Sequence, residues 1–239
     1  MPSPASSALK AIRIGIPTLS QYQLLAELLQ GLGRETNSPF RYEVNIVDNG
    51  GSLLTDQAIE IIKNVSGERL RVSIETPAYN FGVARSFNHL ISKLGRCIIS
   101  NDDVRFSHRD VTALLQASKQ QPEAVIIENA DPVSGFSTFL VNRPEVIQAI
   151  GGFDELFSPA YFEDNDMRRR LTLSGYAITR ADLPSWEHET SSTLKKGDDF
   201  YKRMHWCNFY RNRQYYSLKW GGTPGNEQHL HPFGLPPAP

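Results

Sequence analysis

Three features of the sequence predict an α/β fold built on a mostly parallel, doubly wound sheet flanked by helices. Short apolar runs alternate with amphipathic stretches through the first half of the chain, the rhythm of repeated strand–helix–strand units. Each apolar run exits into a loop rich in Pro, Asx, Gly or Ser, residues that turn a chain at a strand end. The composition, 40% hydrophobic and 21% charged over 239 residues, suits one core plus a short appendage and excludes disorder, collagen and coiled coil.

The elements follow in order. Met1 to Ala8 carry neither a basic start nor a long apolar run and read as a loose terminus. Ala11 to Ile16 is a strand. Leu19 to Leu32 is a helix, because Leu24, Leu25, Leu28, Leu29 and Leu32 share one face. Strand Tyr42 to Val47, helix Leu53 to Lys63, strand Leu70 to Ile74, helix Val83 to Leu94 and strand Arg96 to Ile99 continue the alternation. Helix His108 to Lys119 turns Val111, Leu114 and Leu115 inward and leads to strand Ala124 to Ile127. From Asp131 the rhythm changes: a strand at Phe136 to Val141, a short helix at Pro144 to Ile150 and a break at Gly151-Gly152. Helix Glu163 to Leu173 ends near Gly175, a suitable C-cap, and strand Tyr176 to Thr179 follows. A long helix, Lys196 to Trp220, precedes a Gly/Pro-rich tail.

With 25 Lys+Arg against 26 Asp+Glu the net charge is -1, so no global field attracts a polyanion and any basic site is local. Cys97 and Cys207 are too few for a disulfide framework and lack metal-ligand spacing, which points to a reducing compartment. Cys97, inside an apolar run, is expected as a buried thiol. No apolar run approaches the roughly 20 residues that span a bilayer, so a soluble, cytoplasmic protein is expected, with peripheral work at a membrane surface open to it.

Ligands of open α/β sheets bind at the carboxyl ends of the strands. The loops there are Pro17-Thr18, Asp48-Asn49-Gly50-Gly51-Ser52, Pro77 to Gly82 and Ser100-Asn101-Asp102-Asp103. None is a G-x-G-x-x-G or Walker loop, which argues against a dinucleotide enzyme or P-loop ATPase. Asp48 to Gly51, taken alone, is a tight turn. The adjacent carboxylates of Asp102 and Asp103 repel unless solvent, a helix N-terminus or a cation offsets them. Asp103 as a cap for the helix at His108 is the simpler role; Mg²⁺ or Mn²⁺ held through carboxylates plus phosphates is the sharper one. Glu163 to Asp166 suits the start of a helix, with Asp164–Arg168 and Asp166–Arg170 as i,i+4 pairs worth a few tenths of a kcal/mol. A carboxylate there facing a cleft can also act as a general base. A lone His188 is more often structural, and gains weight as a metal ligand if its loop folds over Asp103.

In order and spacing, these pieces resemble the family 2 glycosyltransferases. They are "IPT" at Ile16 to Thr18, "VDNGGS" at Val47 to Ser52, "NFGVARSFN" at Asn80 to Asn88 and "SNDDV" at Ser100 to Val104, then "GGFDELF" at Gly151 to Phe157, "FEDNDMRRRLTLSGY" at Phe162 to Tyr176, and His188. The resemblance runs from about Ile12 to Thr193 and implies the Rossmann-like GT-A fold and transfer of a sugar from a nucleotide-diphosphate donor. It implies that Thr18, Asp48 and Asn49, with Pro17, line the base and ribose pocket, and that Asn80, Gly82 and Arg85 lie near base and phosphates. Asp103 would hold Mn²⁺ or Mg²⁺ on the diphosphate with His188 beside it, and Asp102 would support ribose or cation. Asn101 stands where the family's D-x-D motif begins with aspartate. Asp164 would be the base, oriented with the acceptor by Glu163. The donor would be UDP-, GDP- or dTDP-linked and the acceptor a glycan or glycoconjugate, lipid-linked ones included.

On this reading residues 1–9 are a flexible terminus and 10–195 the catalytic domain, with a nucleotide-sugar half at 10–130 and an acceptor half at 131–195. Residues 196–239 are the helix and tail. That helix interleaves aromatic and basic residues between Tyr201 and Tyr216, a pattern that can bind nucleic acid but is explained more simply by aromatics packed inward under snorkelling Arg and Lys. A non-catalytic module binding nucleotide, carbohydrate or nucleic acid is the rival to an enzyme.

Overall fold

The computed structural model describes residues 9–54, 67, 69–131, 135–189 and 199–236. The Met1–Ala8 terminus, nearly all of the predicted helix Leu53–Lys63, and Ser191 to Thr193 lie outside them.

Nine strands are described: β1 (Lys10–Thr18), β2 (Phe40–Asp48), β3 (Leu70–Glu75), β4 (Cys97–Ser100), β5 (Val104–Arg105), β6 (Ile126–Asn129), β7 (Thr138–Val141), β8 (Ile178–Ala181) and β9 (Glu187–His188). The described helices are α1 (Tyr22–Arg34), α2 (Gly82–Leu94), α3 (His108–Gln120), α4 (Pro144–Ala149), α5 (Glu163–Leu173) and α6 (Asp199–Trp220). Seven strands form one sheet in the order β3-β2-β1-β4-β7-β6-β8. Every neighbouring pair is parallel except those made by β7, which runs antiparallel to β4 and β6.

The strand order creates the site. The chain leaves β1 toward β2 and β3, then returns to place β4 on the other side of β1. Loops after β1 and β4 therefore diverge, opening the crevice in which such sheets bind ligands. Two apolar layers cover the sheet, and strand alternation decides which residue joins which. Ile98 of β4 packs with α1 and α3, while Cys97 and Ile99 pack with α2, α4 and α5. The five leucines predicted on one face of α1 are all buried, each stabilising by roughly 1.5–3 kcal/mol. Gly15 of β1 is small for a reason: a Cβ there would lie 2.9 Å from Ile99 Cδ1 and 3.1 Å from Leu90 Cβ. Cys97 is buried as expected, and burial pushes its thiol up to about 12.

Several boundaries move. The strand expected at Ala124–Ile127 is β6 at Ile126–Asn129, because Val125 instead ties the chain to Ala177, Asn142 and Arg143. Gly135–Ser137 is a 3-10 turn ahead of β7, and β8 starts at Ile178, two residues after the expected start at Tyr176. Asp103 is not the cap of α3. Ser107 is, in a reciprocal capping box with Asp110, so the simpler role for Asp103 is filled by another residue. Of the two i,i+4 pairs, Asp166–Arg170 forms at 2.8 Å, whereas Arg168 is drawn to Glu128.

Candidate active site

A cavity of about 590 Å³ opens over the carboxyl ends of β1 and β4. Of the residues singled out in the sequence, Pro17, Thr18, Asn49, Asn80, Gly82, Asp102, Asp103, Glu163, Asp164 and His188 line it. Asp48 and Arg85 do not.

At the crevice, Thr18 Oγ1 donates to Asp102 Oδ2 at 2.6 Å, which ties the end of β1 to the loop after β4. Burial pushes the Asp102 carboxyl up to about 6, with the Thr18 bond opposing and the charge of Asp103 adding. Asp103 Oδ1 stands 3.2 Å from His188 Nε2, and both side chains are 14% exposed. Backbone brings them together: β5 and β9 form a two-stranded antiparallel ribbon in which Val104 faces His188, and Glu189 N–H donates to the Asp103 carbonyl. The turn leading into β9 is fixed as well. Ser185 N–H and Oγ donate to buried Asp110, and Trp186 Nε1 donates to Thr138 of β7.

The loop after β2 holds itself with the side chains that begin it. Asp48 is fully buried and accepts from the amides of Gly50, Gly51 and Leu53 and from the Tyr22 hydroxyl. Its carboxylate is thus engaged in shaping the loop. Asn49 bridges to the next loop, donating to Ser86 Oγ and accepting from Phe81 N–H, and keeps a surface on the cavity. Asn80 accepts from Gly82 N–H at 2.8 Å. Gly82 opens α2 with φ +69, and a Cβ there would lie 2.6 Å from the Pro159 carbonyl. Arg85 turns outward onto the rings of Phe81 and Tyr79 at 4.6 and 5.2 Å.

Glu163 and Asp164 start α5 and reach the cavity from the opposite half of the chain. Burial pushes both carboxyls above the usual range; the charge of Asp164 adds to the rise at Glu163, and the Arg168 guanidinium opposes it at Asp164. Glu163 Oε2 is buried with no hydrogen-bond partner among the described residues. Beneath the pair, Glu128 at the end of β6 is 1% exposed and binds Arg168 and Arg180.

Pro159, Ala160, Tyr161, Met204, His205 and Asn208 also line the cavity; they belong to Phe153 to Tyr161 and the final helix, stretches from which an acceptor surface is expected although the sequence singles out none of these six. The aromatic–basic pattern of the last helix was the available signal. Its inward residues are Asn212, Tyr216, Lys219 and Trp220, while Lys202, Arg203, Arg211 and Arg213 stay exposed; the expected inward packing of aromatics under exposed cations holds only in part, since Trp206 and Tyr210 are exposed and Lys219 is buried. Among the described residues no three His, Cys, Asp or Glu side chains gather to hold a metal ion alone.

No protein-family model and no curated protein matches the chain. Solved structures do. The fold matches the mannosyltransferase PcManGT from Pyrobaculum calidifontis, in complex with GDP-Man and Mn²⁺, with a TM-score of 0.57 at 13% identity over 76% of this chain. It also matches S. aureus TarS 1-349 in complex with UDP-GlcNAc, with a TM-score of 0.54 at 14% identity over 82% of this chain. The chain spans 57% and 65% of the lengths of those two proteins. These likenesses establish the fold: a mixed α/β domain with a seven-stranded, mostly parallel sheet flanked by helices, shared with solved glycosyltransferase structures.

Proposed function

We propose that the protein is a divalent-cation-dependent, inverting glycosyltransferase of the GT-A, family 2 type. It takes a sugar from a UDP-, GDP- or dTDP-linked donor and passes it to a hydroxyl of a glycan or glycoconjugate, lipid-linked acceptors included. One observation carries the reading. Thr18, Asp102, Asp103 and His188 border the same cavity as Glu163 and Asp164, although they come from four separate stretches of chain. The likeness in fold to a protein holding GDP-Man with Mn²⁺ and to one holding UDP-GlcNAc supports it.

The residues present fit a cation. Asp103 and His188 offer a hard oxygen and an imidazole side by side, donors that suit Mn²⁺ or Mg²⁺ when phosphate oxygens and water fill the other positions. Such an ion, when bound, supplies positive charge that stabilises the leaving diphosphate. Asp164 takes the proton of the attacking acceptor hydroxyl, and burial, by raising its carboxyl above the usual range, makes it a stronger base for that task. Glu163, kept protonated by burial and by its neighbour's charge, orients that hydroxyl or the base. Attack opposite the departing diphosphate inverts the anomeric centre. Residues 10–130 serve the donor, 131–195 the acceptor, and 196–239 form the last helix and tail; the setting is the cytoplasm or the surface of a membrane.

A panel of UDP-, GDP- and dTDP-sugars with Mn²⁺ or Mg²⁺, read by thermal shift and nucleotide release, tests the reading. One donor is expected to raise the melting temperature and to be turned over. Asp103→Ala is expected to abolish the cation-dependent part of the shift. Binding with no release in the presence of any acceptor would favour the non-catalytic module, for which Asn101 at the first position of the acidic loop speaks. Silence across the panel would overturn the transferase reading.

A further inference from the structure

Two consecutive aromatic residues immediately before the acidic pair adopt left-handed backbone: Tyr161 with φ +83 and Phe162 with φ +74. Non-glycine residues of this bulk hold such angles only where their surroundings impose them, and such positions concentrate at functional sites. Here the surroundings come from α6. Asn212, fully buried, donates from Nδ2 to the carbonyls of Ala160 at 2.7 Å and Tyr161 at 3.3 Å. The rings of both strained residues lie against Phe209, at 5.5 and 5.3 Å between centroids. The segment is gripped on its other side as well, where Val83 N–H donates to the Pro159 carbonyl. Phe162 is also the N-terminal boundary of α5 and lends it no side-chain cap. The direction in which Glu163 and Asp164 enter the cavity is therefore set by these two residues' backbone.

We propose that Asn212 is a positioning residue for the acidic pair: by fixing two carbonyls it holds the left-handed Tyr161-Phe162 turn that aims Glu163 and Asp164 at the reacting hydroxyl. The proposal rests on the transferase reading above. It gives α6 a part in turnover through the backbone of another segment.

The test compares Asn212→Ala, and the milder Asn212→Ser, with wild type in hydrolysis of UDP-GlcNAc and GDP-mannose with Mn²⁺. Tyr215→Phe, on the same helix as Asn212, removes a 2.8 Å bond to Asp154 in the loop before α5 and controls for loss of stability alone. Asn212→Ala is expected to turn over at least 30-fold more slowly than wild type and Asn212→Ser to fall between the two, with donor KM within threefold of wild type. Tyr215→Phe is expected to lower the melting temperature while keeping kcat. Replacing Phe162 by Asn, which tolerates left-handed backbone, in the Asn212→Ala background is expected to recover part of the lost turnover. If Asn212→Ala does not fold, the same comparison rests on Asn212→Ser. Equal kcat in wild type and the Asn212 variants, or losses of turnover that track melting temperature across all variants including Tyr215→Phe, would overturn the proposal alone. No nucleotide release by wild type from any sugar of the UDP-, GDP- and dTDP-linked panel would overturn the transferase reading and this proposal with it.

Discussion

Lys219→Met separates two roles of the last helix, because Lys219 anchors it without touching the cavity. Its ammonium lies 2.7 Å from Asp154 Oδ2 and 2.6 Å from Asp166 Oδ1 while only 7% exposed. Removing one partner of a buried ion pair costs about 3–5 kcal/mol, because a charge is left uncompensated. Part of that is offset here: Asp166 keeps Arg170 and Trp220 Nε1, and Asp154 keeps the Tyr215 hydroxyl and Leu156 N–H. The net cost comes to roughly 2–4 kcal/mol, or about 5–15 °C in Tm for a domain of this size. The cost has a pH signature. Burial alone would push the Asp154 carboxyl up, but the Lys219 bond, Leu156 N–H and the Lys219 charge override it and hold the carboxyl below its usual range. A depressed carboxyl contributes stability that is present above its unfolded value near pH 4 and lost as pH falls through the folded one. The gap between wild type and variant is therefore expected to be full at pH 7 and to shrink below about pH 4. Thermal melts followed by circular dichroism at pH 7 and pH 3 measure it, and Asp154→Asn combined with Lys219→Met is expected to lose less than the two single changes added. A variant within 1 °C of wild type at pH 7, or a gap of equal size at pH 3, would refute the reasoning.

Asp164→Asn is expected to slow turnover by about 10²- to 10⁴-fold with donor affinity within threefold, measured by nucleotide release and calorimetry. In wild type the rate should fall toward acid as the base is protonated, with a midpoint above the ordinary carboxylate value near 4 because the Asp164 carboxyl is raised. His188→Ala is expected to weaken the Mn²⁺ dependence of donor binding at least tenfold while leaving the sheet intact by circular dichroism, since His188 lies on the two-residue ribbon outside that sheet. Gly82→Ala combines a left-handed backbone with a Cβ 2.6 Å from the Pro159 carbonyl; each penalty is about 1–3 kcal/mol, so denaturant melts should show a loss of roughly 2–5 kcal/mol.

Legibility in the sequence followed the length over which a pattern repeats. Five leucines on α1 or the apolar run of β1 declare themselves through many positions, and their elements lie where expected to within a few residues. The β5–β9 ribbon has two residues on each strand, too short for any periodicity, so its assembly of Asp103 with His188 was visible only as a conditional. Asp103 reads in the sequence as a cap for the helix at His108, a place that Ser107 takes in the structure, because nothing local distinguishes a capping carboxylate from one left for a ligand. Asp48 shows the opposite ambiguity. A loop-shaping Asx and a ligand-facing one occupy the same sequence position, and here four hydrogen bonds engage the side chain within the fold. Glu128 falls just past the expected strand Ala124 to Ile127, yet it is buried against Arg168 and Arg180, residues 40 and 52 positions away. Partners at such separations are set by strand order, which residue pattern does not encode.

The β5–β9 ribbon also imposes an order of events. During synthesis the strands and loops that precede Asp103 leave the ribosome well before His188 does, so β1 and β4 can pair, and Thr18 can meet Asp102, while the imidazole beside Asp103 does not yet exist. Closing that long loop carries an entropy cost that local pairing does not. Because β9 is the last of the described strands in chain order, its pairing with β5 is the last strand pairing that becomes possible as the chain emerges, and the imidazole beside Asp103 comes with it.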